Sequence, residues 1–244
     1  MGLETKHIGE IVADDFRTAA IFKKYGIDFC CKGGRTVADA CEAKKLDPDS
    51  IFREIENLPK GENNSIDFQS FPLDLLADYV EKTHHRYVEE KTPILQGFLQ
   101  KLCKVHGGNH PELFEIHDLF EESAKDLAAH MKKEELILFP FIRNLVKNKI
   151  NGRNYEFPSF GTVENPVNMM MHEHTIEGER FRKIAELSDE YTPPADTCNT
   201  YRVTFAMLEE FENDLHRHIH LENNILFPKS IELEKELKTE LNPN

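Results

Sequence analysis

The 244-residue sequence predicts an all-α protein in which four long helices form a bundle behind a small helical unit. Three observations carry this. From Pro72 onward, apolar residues recur at helical spacing over runs far longer than a strand. No alternation of strand period is sustained. One motif, H-x3-E-x3-L-F-P, occurs twice, and its histidine and glutamate, four residues apart, stack on one face of a helix.

Residues 1–60 read as the small unit. Ile8, Ile11 and Val12 lead at helical spacing to Ala19, Ala20 and Phe22, and Cys31-Lys32-Gly33-Gly34 makes a turn. A helix is expected to start near Thr36, with Val37, Ala40 and Cys41 on one face. Another starts at Asp47-Pro48, an Asp cap followed by a proline whose fixed φ suits the first helical position. Ile51, Phe52, Ile55 and Leu58 supply its apolar face. Residues 61–71 read as a linker, from the composition around Pro59-Lys60-Gly61-Glu62 and Asn63-Asn64-Ser65.

Residues 72–240 read as the bundle. The first helix spans 73–105, with Leu73, Leu76, Val80, Tyr87, Ile94 and Phe98 in register and Pro93 as a candidate kink. Gly107-Gly108-Asn109-His110-Pro111 ends it. The second spans 112–147, and Asn151-Gly152 opens a longer connection to Gly161. The third spans 164–188 and is closed by the stretch from Tyr191 to Pro194; the fourth spans 197–235.

The formal net charge is −14. Such a surface repels nucleic acid and anionic membranes unless it carries a basic patch, and only short pairs such as Lys23-Lys24 and Lys132-Lys133 occur. No apolar run approaches the roughly 20 residues of a membrane span. The stretch Met1 to Asp15 lacks the apolar core of a secretion signal. The expectation is a cytoplasmic protein with neither a membrane nor a nucleic-acid partner. Cys30, Cys31, Cys41, Cys103 and Cys198 are odd in number and have no framework spacing, which argues against a disulfide scaffold.

The repeat carries the chemistry. Its copies run from His130 through Glu134 to Leu138-Phe139-Pro140, and from His218 through Glu222 to Leu226-Phe227-Pro228. His85 precedes His130 by 45 residues and His174 precedes His218 by 44, so the bundle reads as two related helix pairs, each giving two histidines and a glutamate. Leu127, Leu138 and Phe141 share the stripe of His130 and Glu134, and Phe211, Leu215 and Leu226 that of His218 and Glu222. Ionisable pairs on a core-facing stripe cost several kcal/mol unless they are paired or bound to metal. Imidazole and carboxylate without thiolate suit iron, manganese or zinc, and one glutamate from each pair can bridge two such ions. Each Leu-Phe-Pro is expected to fill the bundle end, its proline ending or bending the helix. By periodicity His84 lies nearer the centre of its stripe than His85.

With these motifs, the chain resembles the iron–sulfur cluster repair di-iron proteins, the RIC, YtfE or ScdA family. Tyr25-Gly26-Ile27-Asp28-Phe29-Cys30-Cys31 and the following Gly33-Gly34 match that family's front domain, with Lys32 inserted between cysteines and glycines. The two H-x3-E segments match its hemerythrin-like bundle. The resemblance implies a non-haem di-iron centre, oxo- or carboxylate-bridged, with His85, His130, His174 and His218 as histidine ligands and Glu134 and Glu222 as bridges. It selects His174 over His172 through Glu173-His174, and His85 by its distance from Pro72-Leu73 and Pro93. His216 and His220 are expected to be exposed or to lie behind the ligands.

The resemblance further implies repair of clusters damaged by nitrosative or oxidative stress, with iron–sulfur proteins as clients and nitric oxide or dioxygen as small ligands. A nitric oxide reductase and an oxygen or nitric oxide sensor or carrier are the alternatives. Cys30 and Cys31 are expected to be reactive thiols, on the argument that the glycine turn opens a helix whose N-terminus lowers a thiol's pKa. Cys41, Cys103 and Cys198 read as structural. The oligomeric state stays open, a homodimer included.

Overall fold

The structure, a computed structural model, describes residues 3–59, 66–152 and 158–241. Residues 61–65 of the expected linker and 153–157 of the long connection lie outside them. Among the described residues there is no strand, only an isolated bridge between His7 and Thr36.

Four short helices make the front unit: α1 (Ile8–Asp14), α2 (Thr18–Lys24), α3 (Val37–Lys44) and α4 (Pro48–Glu56). The expected starts at Thr36 and Asp47 hold. Thr36 accepts from the Asp39 amide and Asp39 accepts in return from the Thr36 amide, a reciprocal cap. Asp47 accepts from Asp49 N ahead of Pro48. Helix α2 stops because Gly26 takes the left-handed conformation (φ 62°), letting Ile27 N reach back to Phe22 O. That reversal delivers the Asp28–Cys31 segment to the bundle.

The first bundle helix occupies 73–106 as Leu73–Tyr79, a π turn at Val80–His85, and Arg86–His106. The second is Glu112–Lys133, a π turn at Glu134–Leu138, and Phe139–Asn151. The third is Glu164–Leu187. The fourth is Asn199–Leu221, a π turn at Glu222–Leu226, and Phe227–Leu241. First packs on second, second on third, and fourth on both first and third, which closes the ring. The two Leu-Phe-Pro prolines do not end their helices. Each follows a widened π turn, and the helix continues beyond Pro140 and Pro228. Pro93 also lies inside a continuing helix.

Among the described residues two large apolar clusters, with a small third at Leu145 and Leu237, make up the core. One runs from the front unit (Phe22, Val37, Ile51) into the bundle (Leu95, Phe120, Phe181, Phe211). The other, with Leu76, Phe139, Ile142, Val167 and Phe227, fills the far half. The front unit therefore shares a core with the bundle. At α1 the approach is tight: a Cβ on Gly9 would fall 2.3 Å from Asn224 Oδ1. Among the described residues no helix is long and apolar enough to cross a membrane.

Candidate metal centre

All six histidines and glutamates singled out from the sequence as metal ligands are buried and lie together. They form two quartets, His85, His218, Glu134 and Glu222, and His130, His174, Glu134 and Glu222. Glu134 Oε2 lies 3.3 Å from Nε2 of both His85 and His130, on two different helices. Glu222 Oε2 lies 3.2 Å from Nε2 of both His174 and His218. The i, i+4 spacing places each histidine above its own glutamate, and bundle packing brings the third and fourth imidazoles across.

Three of the four histidines are oriented from behind, while Nδ1 of His218 is buried without a partner. Nδ1 of His85 faces Glu135 (3.1 Å), that of His130 faces Glu173 (2.9 Å), and that of His174 faces Asn223 (2.8 Å). These contacts fix ring rotation and point each Nε2 inward. The motif phenylalanines, expected only to fill the bundle end, stack on these histidines: Phe139 on His85 and Phe227 on His174, with interplanar angles of 19° and 2°. His84 is also buried, but it is directed away to Asp214 (2.9 Å) and stacks on His218.

The residues fit a pair of cations. All four oxygens of Glu134 and Glu222, and Nε2 of His85 and His218, are buried without a hydrogen-bond partner. The ion-pair contacts around them lack hydrogen-bond directionality. Orphaned buried groups of this density cost several kcal/mol unless something neutralises them. Nε2 of His130 and His174 are 3.1 Å apart, about the separation of two nitrogens sharing one ion at about 2.1 Å. Burial alone would push the Glu222 carboxyl up, but His218 and His174 hold it well below the usual range. Burial likewise pulls His130 down, and Glu134 and Glu173 outweigh it, raising His130 to about 10. The layer therefore presents two carboxylates that stay ionised, a strong field for cations. A cavity of about 230 Å³ between the second and third helices reaches it, lined by Lys133, Glu173, Ile176 and both His130 and His174.

The cysteine pair sits against this layer, in a place no spacing could show. Asn223, whose Oδ1 faces His174, donates from Nδ2 to Cys30 O (3.2 Å). Cys31 Sγ contacts His174 O (3.3 Å). The pair does not open a helix. It lies in a turn capped by Asp28 Oδ1, which accepts from Cys31 N (2.9 Å). The expected acidification therefore fails for Cys30: its contact with the Cys31 thiol, then burial, pushes its pKa well up. His220 is buried and His216 lines a cavity beside Cys30, both outside the quartets. Cys198, read as structural, is exposed at the fourth helix's N-cap, 3.2 Å from His106 Nε2.

A buried histidine–carboxylate layer in a four-helix bundle defines the hemerythrin-like class, and residues 76–230 match the hemerythrin HHE cation-binding domain. Residues 4–59 match ScdA_N, a domain of unknown function. The chain is 32% identical over 222 residues to the iron–sulfur cluster repair protein ScdA of Staphylococcus haemolyticus, covering 91% of this chain and 96% of that one. It is 32% identical over 234 residues to the repair protein YtfE of Musicola paradisiaca, covering 95% and 98%. It is 30% identical to the YtfE protein of Yersinia pseudotuberculosis over 231 residues, covering 95% and 99%. The chain belongs to the ScdA/YtfE family of iron–sulfur cluster repair proteins.

Proposed function

We propose that this protein repairs iron–sulfur clusters damaged by nitrosative or oxidative stress, acting in the cytoplasm on iron–sulfur proteins, with two non-haem iron ions in its bundle layer. The observation that carries the reading is the pair of quartets sharing both glutamates. His130 and His174 would hold one ion, His85 and His218 the other, and Glu134 and Glu222 would bridge them. Bound there, iron supplies a redox-active Lewis acid that takes small diatomic ligands and can be transferred to a damaged cluster.

The chain's own residues prepare that chemistry. Glu135, Glu173 and Asn223 hold the imidazoles of His85, His130 and His174 in one orientation. Phe139 and Phe227 cover the layer and limit water. The cavity beside His130 and His174 is a path for nitric oxide or dioxygen, and the free thiols of Cys30 and Cys31 stand beside the layer on the front-unit side. A nitric oxide reductase would instead turn over steadily, and a carrier would bind reversibly, each without losing iron.

The test is protein purified without oxygen, assayed for iron and by Mössbauer spectroscopy, then mixed with an iron–sulfur dehydratase inactivated by nitric oxide. Two coupled irons per chain, and recovery of the dehydratase as iron leaves the protein, are expected. Zinc or no metal in the layer, or no recovery, overturns the reading.

A further inference from the structure

The geometry points to a second metal site, outside the bundle layer, formed by the thiolates of Cys30 and Cys31 and the carboxylate of Asp28. The three offer ligand atoms all within 4.8 Å of one another. The two Sγ atoms are 3.7 Å apart, and Cys30 Sγ is 3.4 Å from Asp28 Oδ1. Around a tetrahedral ion with metal–sulfur bonds of about 2.3 Å and metal–oxygen bonds of about 2.1 Å, those edges would be about 3.8 and 3.6 Å. The turn thus holds its donors close to ligating separation before any ion arrives. Asp28 caps Cys31 N and so braces the turn in which the two sulfurs sit together.

The surroundings suit such an ion. Asp28 and Cys30 line a cavity of about 570 Å³ between the front unit and the bundle, which leaves a fourth position open to water or an incoming ligand. Two thiolates and a carboxylate around a dication leave a net charge of −1. Arg182 lies 3.6 Å from Asp28 Oδ2 and offsets that excess directly; of the lysines that line the same cavity, Lys23 and Lys24 are paired with Glu212 and Glu54, and Lys44 adds a further cation. Mixed sulfur and oxygen donors take Zn(II), Fe(II) or Co(II). Binding is an exchange: two thiols each release a proton to solvent as two metal–sulfur bonds form, with no change in oxidation state.

The position gives the site a use. Cys31 Sγ and Cys30 O touch the backbone of His174 and the side chain of Asn223, so an ion here would stand between the bundle layer and the cavity. That use, as an exchange point for iron, rests on the repair reading. The existence of the site does not.

The experiment is an anaerobic Co(II) titration of the iron-loaded protein, followed by near-ultraviolet thiolate-to-metal absorption, by proton release and by iron content. One Co(II) bound beyond the resident iron, with a thiolate band and two protons released, is expected. Cys30→Ser and Cys31→Ser should each lose the band, while Cys198→Ser should keep it. Asp28→Asn still caps Cys31 N through its amide oxygen, so it should fold and bind Co(II) at least about tenfold more weakly. The site is overturned by absence of the band, or by a band that survives in the Cys30→Ser/Cys31→Ser double variant. Neither outcome bears on whether the protein repairs clusters, which the dehydratase assay decides separately.

Discussion

Removing one shared glutamate and removing one histidine should have different consequences, because the quartets share carboxylates but not imidazoles. Glu222→Ala takes a ligand from both metal positions at once. His218→Ala takes one from the His85 position and leaves His130, His174, Glu134 and Glu222 intact. The difference can be sized by linkage. An ion present at a thousand times its Kd stabilises the fold by about 4 kcal/mol, and for a chain of this length 1 kcal/mol moves Tm by about 2–4 °C. Each bound ion is therefore worth about 8–16 °C. Anaerobic melting with and without Fe(II), paired with metal analysis, reads both quantities. Unaltered protein should hold two ions and show the full shift. His218→Ala should hold one and show about half, and Glu222→Ala should hold none and show no metal-dependent shift. If His218→Ala lost both ions, or Glu222→Ala kept one tightly, the shared-glutamate arrangement would be wrong.

Other outcomes follow from individual contacts. Asn223→Leu leaves the His174 imidazole unpaired in a buried place and the Cys30 carbonyl with only the longer Asn224 Nδ2 contact (3.5 Å), and should lower urea stability by about 1–3 kcal/mol; a loss under 0.5 kcal/mol, below the order of one net hydrogen bond, would deny the bridge. Gly33→Ala puts a Cβ 2.5 Å from Phe29 O, so the backbone must shift, and about 1–3 kcal/mol of destabilisation is expected in the same assay. Cys198 is held at about 7, first by the Tyr201 backbone amide and then by His106. Its thiolate fraction, and its alkylation rate, should rise through pH 7 and level off by about pH 9, and His106→Gln should move that midpoint upward. Because this folded-state pKa is lowered, its contribution to stability is complete above the unfolded value near 9 and disappears as pH falls through 7.

What the sequence disclosed was what local spacing controls. A histidine and glutamate four residues apart share a helix face whatever the rest of the fold does, so both His/Glu pairs could be read directly. Helix number and the caps at Thr36 and Asp47 were legible for the same reason. The first helix was harder. Periodicity favoured His84 because it assumed an unbroken α-helix, but Val80–His85 is a π turn, whose wider winding changes the register and buries both histidines. The same widening after Glu134 and Glu222 explains why Pro140 and Pro228 did not end their helices. The docking of Cys30 and Cys31 on His174 joins residues 143 apart in the chain, and no periodicity reports such a contact.

The repeat is most informative where its copies differ. The residue after each shared glutamate receives a neighbouring imidazole: Glu135 for His85, Asn223 for His174. Glu135 can be a carboxylate because its other oxygen faces Lys132 at the surface. Asn223 has the front unit behind it and must donate to Cys30 O, which a carboxylate cannot do. An amide is the one group of that length that accepts from imidazole on one side and donates to a carbonyl on the other. Asn223→Asp should therefore separate the two jobs. Its carboxylate still accepts from His174, so the metal content should stay at two, while repulsion from Cys30 O loosens the cysteine turn. In a Cys198→Ser background, the Cys30–Cys31 pair should then be alkylated faster, with iron unchanged. Iron lost together with faster alkylation would mean that the amide serves the imidazole alone, and unchanged alkylation would mean that the front unit is held in place without it.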